Sequence, residues 1–359
     1  MKIVHICNCL RGGGVQNFLL SLLPEQVLQG HDVNIIVIEK YDYDYCYRLE
    51  DILKANGVKA FRLYKKRGSK ASMIRTLFKC RALICKLRPD IVNTHGAMSH
   101  TFGAFAVLGM KSRQVITIHN TPEKWSFDTN FFCKNKPLIF CSNAAFESRL
   151  QESFKMRTID NGISRSIIHS DEVVDLRKEL GLKETDKIIV LVGSLRPQKN
   201  YEFLMKIVDR AKDSSLHFCV CGGNYGKGYI STDIFRDYNT IHFLGLRSDV
   251  SAIENGADLF LSCAKFEGLP IAVLEAYFNG IPCVLSPIDP HKNISDVQKV
   301  WIPKSFDADS FVESIDLALK NACDHGYIYE SRKSQIQKYS IAESCLKYII
   351  FYNEVLNAK

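Results

Sequence analysis

Length, composition and charge limit what this chain can be. With 359 residues, of which 46% are hydrophobic and 24% charged, it has the composition of a soluble globular protein and is longer than a typical single domain. We therefore expect two domains. The sequence lacks the long polar or low-complexity tracts of a disordered chain, and no stretch reaches the roughly 18 uninterrupted apolar residues that a membrane-spanning helix needs.

The N-terminal stretch and the cysteines predict a cytoplasmic protein. MKIVHICNCLRGGG indicates a buried strand that runs into a glycine turn, and it lacks the apolar segment and cleavage site of a secretory signal. The 13 cysteines are odd in number and irregularly spaced, and they include no pair of C-x2-C motifs of the kind that binds zinc. We interpret them as free thiols, mostly buried.

The net charge of +8 is divided unevenly. Residues 1–163 contain 24 Lys and Arg against 13 Asp and Glu, whereas residues 164–359 contain 23 against 26. Most of the excess lies in residues 65–89, which hold nine basic residues and no acid. The segment predicts a basic amphipathic helix with apolar positions at Met73, Ile74, Leu77, Phe78, Leu83, Ile84 and Leu87.

Two roles for residues 65–89 stay open. The apolar positions either pack on a sheet, as in any surface helix, or dock with the cations on anionic lipid headgroups. Nucleic acid is excluded as a partner, because the chain has no base-reading motif, few aromatic residues interleave with the basic ones, and the second half is acidic.

Short apolar, β-branched runs alternate with helical patterns along the chain. The first set is KIVHIC, DVNIIVIE, DIVNTH, QVITIHN and PLIFCS; the second, after the polar segment RTIDNGIS, is KIIVLVGS, LHFCVCGG, TIHFLG, DLFLSC and PCVLSP. This α/β rhythm predicts two doubly wound, Rossmann-like domains over residues 1–163 and 164–340, followed by a helix over 341–359. We expect the carboxyl ends of the strands to line a central cleft that both domains face.

Two glycine-containing loops follow predicted strands. Gly12, Gly13 and Gly14 precede a helix that begins near Val15, which is typical of a phosphate site or of a tight turn. A dinucleotide fingerprint would need a third glycine at Asn17, so an NAD dehydrogenase is disfavoured. In VGSLRPQKN, residues 192–200, the cations of Arg196 and Lys199 either neutralise a diphosphate or lie in a solvated loop.

The segment FEGLPIAVLEAYFNGIPCVLS, residues 266–286, contains Glu267 and Glu275 with seven residues between them. Pro270 suits the first turn of a helix and Gly280 its end. Glu275 then lies roughly 7 to 8 Å along the helix axis, about the step from a phosphate held at the helix end to the ribose attached to it. Apolar neighbours surround Glu275, and because a buried acid without a partner is costly, this favours a binding role over an exposed glutamate.

These residues resemble the E-x7-E signature of the retaining glycosyltransferases of family 4, of the type that builds bacterial polysaccharide and lipopolysaccharide. The order of the glycine loop, TIHN, NGI, VGSLRPQKN and GLRSDV is also similar to that family over nearly the whole chain. The resemblance implies the GT-B fold, a nucleotide-diphosphate sugar held mainly by the second domain, an acceptor held mainly by the first, and no metal. It also implies that the last helix crosses back onto the first domain.

The resemblance assigns roles by position. Glu275 binds the donor ribose, Glu267 lies at the transferred sugar, and Lys199 binds the diphosphate. His119 of TIHN faces the donor sugar, although a lone strand-end histidine is more often structural. The remaining donor-binding positions are Gly13, Gly14, Ser194, Gly268, Leu269 and Pro270.

The chain departs from the family pattern in two places. Ser194 occupies the usual arginine position, and we expect Arg196 to supply the charge, since residues 194 and 196 point the same way in extended backbone. The glycine pair that usually follows the PCVLS strand is replaced by PIDPHKNISD, residues 287–296. The D-x-D sequences at residues 42–44 and 307–309 lie in polar connections, so we interpret them as surface loops and not as metal sites.

The activity implied is transfer of a hexose or N-acetylhexosamine, with retained configuration, from a UDP-sugar to a glycan acceptor. Arg196, Lys199 and helix N-termini would stabilise the departing diphosphate. The basic first half suits a lipid-linked acceptor at the inner face of the cytoplasmic membrane. Two alternatives remain open: a nucleotide-sugar epimerase of the same fold, and a non-catalytic GT-B partner subunit.

Overall fold

The chain folds into two compact units. The structure, a computed structural model, describes residues 1–10, 14–40, 44–119, 126–142, 155–164, 172–224, 228–294, 299–321 and 339–358. One unit consists of Met1–Gly162 with Ile341–Lys359, and the other of Ile163–Ser340. The sequence predicted that the second domain runs from residue 164 to residue 340. In the structure it begins one residue earlier, at Ile163, and ends at Ser340.

The first unit is built on a seven-stranded sheet in which every pairing is parallel, in the order β3-β2-β1-β4-β5-β6-β7. The central strands are buried at nearly every position, as expected of a parallel sheet covered on both faces, and β4 also buries the polar residues Asn93, Thr94 and His95. The strands are β1 (Lys2–Cys7), β2 (Asp32–Glu39), β3 (Lys59–Lys65), β4 (Ile91–His95), β5 (Arg113–Ile118), β6 (Leu138–Phe140) and β7 (Met156–Thr158).

Helices connect these strands, and the last helix of the chain joins them. The helices are α1 (Gly14–Leu28), α2 (Asp44–Ala55), α3 (Lys70–Leu87), α4 (Ala97–Ala106) and α5 (Phe127–Cys133). The terminal helix, Ile341–Asn357, packs beside α1 and places Tyr348 and Tyr352 in the same apolar cluster as Ile3 and Phe18. It is therefore part of the first unit.

The second unit repeats the plan with a six-stranded parallel sheet in the order β10-β9-β8-β11-β12-β13. Its strands are β8 (Lys187–Val192), β9 (Leu216–Cys221), β10 (Ile241–Gly245), β11 (Leu259–Ser262), β12 (Cys283–Leu285) and β13 (Val300–Trp301). Its helices are α6 (Leu176–Leu180), α7 (Phe203–Ala211), α8 (Val250–Gly256), α9 (Ile271–Asn279), α10 (Asp289–Lys292) and α11 (Ala308–Lys320), with 3-10 turns at Pro197–Lys199 and Thr232–Phe235.

Three strands were missed by the sequence analysis, and one of them corrects the linker. RTIDNGIS was interpreted as a linker, but Arg157 and Thr158 belong to β7, which pairs with β6 through Leu138 and Met156. β7 has three residues, none of them buried, and β13 has two. Such short, partly exposed edge strands have too little alternation to be detected, whereas β3 was hidden by its charged residues.

The basic segment 65–89 is a helix only over α3. Ser69 caps the helix by accepting from the Ser72 amide, and Arg88 ends it in the left-handed region with φ of 48°. Every described cysteine is a free thiol. None of the helices in the described ranges is long and apolar enough to cross a membrane.

Candidate active site

The predicted donor-site residues of the second unit lie in the loops that follow β8 and β11. Gly193 directly follows β8, and a Cβ on Gly193 would lie 2.8 Å from Cε of Lys199. A Cβ on Gly222, at the end of β9, would collide with the carbonyl of Gly193. The two glycines therefore let the neighbouring strand ends approach closely and leave room for the lysine side chain.

Lys199 and Glu267 form an ion pair. Nζ of Lys199 donates to Oε1 of Glu267 at 2.7 Å, and both side chains are largely buried. A short 3-10 turn ends at Lys199, and Asn200 follows it in the left-handed region with φ of 58°. The left-handed residue interrupts the backbone between the 3-10 turn and α7. The Lys199 side chain can therefore face the loop that follows β11.

Gln198 fixes the same carboxylate from a second side. The side-chain Nε2 of Gln198 donates to the Phe266 carbonyl at 2.9 Å and to Oε2 of Glu267 at 3.2 Å. The backbone carbonyl of Gln198 accepts from the backbone amide of Lys265 at 2.9 Å. Both oxygens of Glu267 are thus held by the β8 loop. Gln198 was not singled out from the sequence, because a single glutamine in a loop has no distinguishing pattern.

Glu275 lies in the middle of α9 and is buried, as its apolar neighbours predicted. The helix begins at Ile271 with Pro270 as the preceding cap residue, and Gly280 ends it with φ of 87°. Gly268 and Pro270 are buried and Leu269 is half-buried against the core of the unit. Glu267 and Glu275 are therefore held on the two sides of one helix start.

The structure does not bring Arg196 to the Lys199–Glu267 pair. Its guanidinium is exposed and donates to the Tyr229 hydroxyl, from Nε at 3.2 Å and from Nη2 at 3.0 Å, with the cation 5.3 Å from the ring centre. Its backbone is extended, as expected, and Ser194 is half-buried. In this arrangement the lysine is the cation held at Glu267.

A buried acid beside Glu275 escaped the sequence analysis. Glu254, in α8, is fully buried and accepts from Asn279 at 3.2 Å. Burial and the Glu275 charge raise the pKa of Glu254 well above its usual range, and the Asn279 amide acts in the opposite direction. The sequence marks Glu254 only as an acid within the apolar run VSAIENGADLFL. An exposed glutamate on the surface of a helix has the same pattern.

A buried histidine lies in the loop that departs from the family pattern. His291, in α10, is fully buried, and its Nδ1 lies 3.0 Å from the Ser286 carbonyl. A carbonyl only accepts, so Nδ1 carries the proton. Burial lowers the pKa of His291 to about 4, although the nearby Glu267 carboxylate acts to raise it. His291 is thus a neutral residue behind the ion pair.

In the first unit, His119 follows β5 and is buried. Its ring lies against Phe18 in an edge arrangement at 5.7 Å, and its Nε2 lies 2.9 Å from Nδ1 of His95, at the end of β4. Gly14 begins α1, whereas Gly13 lies outside the described residues. The strand-end position expected for His119 is confirmed.

Helix α3 has two apolar sides. Leu77 and Ile84 pack in the core of the first unit, whereas Ile74 and Phe78 are 60% and 61% exposed. The exposed side also carries cations, since Arg75, Lys79 and Lys86 are exposed. Packing on the sheet is therefore found, and it leaves one apolar and basic stripe facing outward.

Within the described ranges, no group of three or more His, Cys, Asp or Glu side chains is arranged to hold a metal ion. In the second D-x-D sequence, Asp307 caps α11 by accepting from the Ser310 amide, and Asp309 pairs with Arg210. This sequence is a helix start and not the loop that was expected. In the first, Asp44 begins α2 and Asp42 lies outside the described residues.

Comparison with known proteins identifies the class. A family model described as Glycosyltransferase Family 4 matches residues 12–166, and one described as Glycosyl transferases group 1 matches residues 173–339. The fold is similar to that of Anabaena Alr3699/HepE in complex with UDP-glucose, with a TM-score of 0.81, 15% identity and coverage of 99% of this chain and 100% of that chain. The protein is therefore a glycosyltransferase with the GT-B fold, as predicted.

Together the two matches span most of the chain, which belongs to glycosyltransferase family 4. It is 26% identical over 323 residues, 80% of each chain, to UDP-Gal:alpha-D-GlcNAc-diphosphoundecaprenol alpha-1,3-galactosyltransferase of Escherichia coli. It is 23% identical over 340 residues, 86% of this chain and 88% of the relative, to N,N'-diacetylbacillosaminyl-diphospho-undecaprenol alpha-1,3-N-acetylgalactosaminyltransferase of Campylobacter jejuni. The predicted link to polysaccharide assembly agrees with these relatives.

Proposed function

We propose that the protein transfers a hexose or N-acetylhexosamine from a UDP-sugar to a lipid-linked glycan acceptor, with retained configuration and without a metal. The observation that carries the proposal is the arrangement around α9, where Glu267, paired with Lys199, precedes the helix and Glu275 is buried within it. The two relatives act on diphosphoundecaprenol-linked substrates by name.

The donor would be held mainly by three features of the second unit. The ammonium group of Lys199 has three N–H donors, of which one bonds to Glu267, so two can bind the diphosphate. The free N–H groups at the start of α9 favour an anion. Glu275 lies on the fifth residue of that helix, about 6 to 8 Å from its start along the axis, and its carboxylate can accept two ribose hydroxyls.

Departure of the nucleotide diphosphate creates negative charge, which Lys199 and the helix start would stabilise; electrostatic stabilisation of this kind is usually the largest catalytic term. Glu267 would lie at the transferred sugar, which becomes oxocarbenium-like. The acceptor hydroxyl would then attack from the face that the diphosphate leaves, so that the configuration is retained. His119 would contact the same sugar.

The acceptor would be reached at an anionic membrane surface on the cytoplasmic side. The exposed stripe of α3 supports this step, because Ile74 and Phe78 can insert between headgroups while Arg75 and Lys79 bind phosphate. Each cation near such a surface contributes about 1 kcal/mol. The 24 to 13 excess of basic over acidic residues in 1–163 acts in the same direction.

The donor experiment mixes the purified protein with a panel of nucleotide sugars, a membrane lipid extract and EDTA, and measures the release of nucleotide diphosphate. We expect release that depends on the extract and is lost in Glu275→Ala but kept in Glu313→Ala, a control at a half-exposed glutamate of α11. The configuration of the product is then determined by NMR. Release that requires added metal, or an inverted product, would contradict the corresponding part of the proposal.

Release of nucleotide without an acceptor would favour the epimerase instead. Tight nucleotide binding with no release from any donor would favour the non-catalytic subunit.

The membrane experiment measures sedimentation with liposomes that contain or lack anionic lipid. We expect binding only to anionic liposomes, reduced at least about tenfold in Ile74→Ser/Phe78→Ser, since each large apolar side chain contributes roughly 1.5 to 3 kcal/mol when buried. Leu317→Ser is the control, because Leu317 is exposed on α11 of the second unit. Equal binding of both variants would show that α3 is not the docking face.

A further inference from the structure

Three buried histidines form a continuous column in the first unit. Nε2 of His5 lies 2.8 Å from Oε1 of Gln26, and Nδ1 of His5 lies 3.0 Å from Nε2 of His95. Nδ1 of His95 lies 2.9 Å from Nε2 of His119. The rings therefore meet edge to edge, with centres 5.3 Å apart for His5 and His95 and 5.2 Å apart for His95 and His119.

His5 and His95 are neutral. Burial lowers the pKa of His5 to about 4, although its hydrogen bond with Gln26 acts to raise it. Burial also lowers the pKa of His95 well below its usual value, and His119, His5 and His100 lower it further. His5 and His95 therefore each carry one proton at neutral pH, on one nitrogen or the other.

One proton per ring leaves only two arrangements. Each of the two histidine–histidine bonds needs one donor and one acceptor. If His95 donates from Nε2 to His5, its Nδ1 must accept from Nε2–H of His119, and His5 must donate from Nε2 to Gln26. If His95 donates from Nδ1, all three directions reverse. His5 and His95 therefore share one tautomer and can change it only together, and the bond to His95 sets whether Nε2 of His119 donates or accepts.

Gln26 selects between the two arrangements. Its carbonyl oxygen faces His5, and an oxygen can only accept from Nε2–H of that ring. Its amide nitrogen makes no hydrogen bond to the described residues. The opposite arrangement would require the amide to turn over so that this nitrogen faces His5.

We infer that His5 and His95 are positioning residues which, with Gln26, hold His119 as the tautomer protonated at Nε2, so that its Nδ1 offers a lone pair to a hydroxyl of the transferred sugar. The part that concerns the sugar rests on the proposed function of His119. The column then acts on specificity, because a lone pair binds a hydroxyl and rejects a group that can only accept. The determinant of this choice is Gln26, three side chains away on α1.

The tautomers are measured directly by long-range proton–nitrogen NMR of the ligand-free protein labelled at histidine, with assignments from His5→Phe and His95→Phe. We expect His5, His95 and His119 to be protonated at Nε2 in the wild type. In Gln26→Leu, which removes the terminal acceptor, we expect His119 to show both tautomers. Gln29→Leu is the control, since Gln29 is exposed just beyond α1.

Two results would overturn the column: unlike tautomers among the three histidines, or protonation at Nδ1 in all of them. An unchanged His119 spectrum in Gln26→Leu would also overturn it. Gln26→Leu replaces an uncharged side chain by one of similar size, so we expect it to fold. It can therefore test the tautomer of His119 even if His95→Phe does not fold.

The sugar part is tested with deoxyfluoro analogues of whichever donor the protein accepts, fluorinated at each ring position in turn. A fluorine can only accept, so at one position we expect binding to weaken about tenfold in the wild type, the loss of one hydrogen bond plus repulsion. In Gln26→Leu the loss at that position should fall to about twofold. A wild type that binds no nucleotide sugar refutes the proposed function and leaves the tautomer result standing; normal donor binding with no fluorine effect that depends on Gln26 refutes this inference alone.

Discussion

Lys199 donates to the Glu267 carboxylate at 2.7 Å, and Gln198 donates to the other oxygen of the same group at 3.2 Å. In the ligand-free protein the cation assigned to the donor diphosphate is thus shared with the acid assigned to the transferred sugar. A diphosphate that binds Lys199 must compete with Glu267 for the ammonium protons. The affinity for nucleotide and the rate of transfer therefore depend on this pair in different ways.

Neutralising the acid should separate the two properties. In Glu267→Gln the amide oxygen can still accept from Lys199, although the amide nitrogen cannot accept from Gln198. The neutral amide no longer competes for the charge of Lys199, so the affinity for UDP should stay the same or improve. Turnover should fall by about 10² or more, the usual cost of removing one electrostatic contact to a transition state. Calorimetry with UDP and release of nucleotide diphosphate measure the two effects.

Lys199→Met should act in the opposite way on binding. It removes the cation and leaves Glu267 buried without its charged partner, so we expect UDP affinity to fall about tenfold and the free energy of unfolding to fall by about 1 to 3 kcal/mol. A loss of UDP affinity in Glu267→Gln as large as in Lys199→Met would contradict the competition between carboxylate and diphosphate.

Gly222 should not tolerate a side chain. A Cβ at this position would collide with the Gly193 carbonyl, which is backbone and cannot move away without displacing the β8 loop. We expect Gly222→Ala to lower the free energy of unfolding by about 3 kcal/mol or more, compared with about 1 kcal/mol for Gly181→Ala, where a positive φ of 68° is the only cost and nothing lies within 4 Å. Denaturant titration of both variants measures the difference.

Glu254 should make the protein less stable as the pH rises. Its pKa in the folded state is raised well above the usual value by burial and by the charge of Glu275. Above pH 4.5 the unfolded chain has lost this proton while the folded chain keeps it, so the free energy of unfolding falls with rising pH. Glu254→Gln should therefore be more stable than the wild type at pH 8 and nearly equal to it at pH 4.5.

The comparison at two pH values tests the cause. A difference of the same size at both would mean that packing and not ionisation is responsible. Glu313→Gln, at a half-exposed position on α11, controls for the general effect of removing one negative charge.

The sequence predicted the architecture because parallel strands buried on both faces leave long apolar runs, as in β2, DVNIIVIE, and β8, KIIVLV. It also predicted Glu275 as a buried acid, since its neighbours in residues 271–278 are almost all apolar. Edge strands were missed because β7 and β13 are too short and too exposed to carry a pattern.

The second layer of the site depends on contacts between distant segments, which spacing along the chain does not encode. His5 and His95 are 90 residues apart and Gln198 and Glu267 are 69 apart, and each pair meets only because parallel strands end at the same edge of a sheet. Arg196 was expected to supply the charge of the site from the direction of an extended backbone. The backbone at Arg196 is extended as expected, but its side chain donates to the Tyr229 hydroxyl and lies over that ring.

Acid should destabilise the second unit through His291. Burial lowers the pKa of this histidine to about 4, against 6.5 in the unfolded chain. The contribution of neutral His291 to the free energy of unfolding is fully present above pH 6.5, where the ring is neutral in both states. It is lost as the pH falls toward 4, because the ring then becomes protonated in the unfolded chain but stays neutral in the folded one. The loss can reach about 3 kcal/mol, at 1.36 kcal/mol for each unit of difference in pKa.

The measurement is denaturant unfolding between pH 7 and pH 4, followed by the fluorescence of Trp301 in β13 after the other tryptophan is changed in Trp125→Phe. His291→Phe should lose most of the decline between pH 6.5 and 4, whatever its stability at pH 7. Ser286→Ala, which removes a neighbouring hydroxyl but keeps the titrating ring, should retain the decline. A decline in His291→Phe as large as that in the wild type would show that the titration of His291 is not its cause.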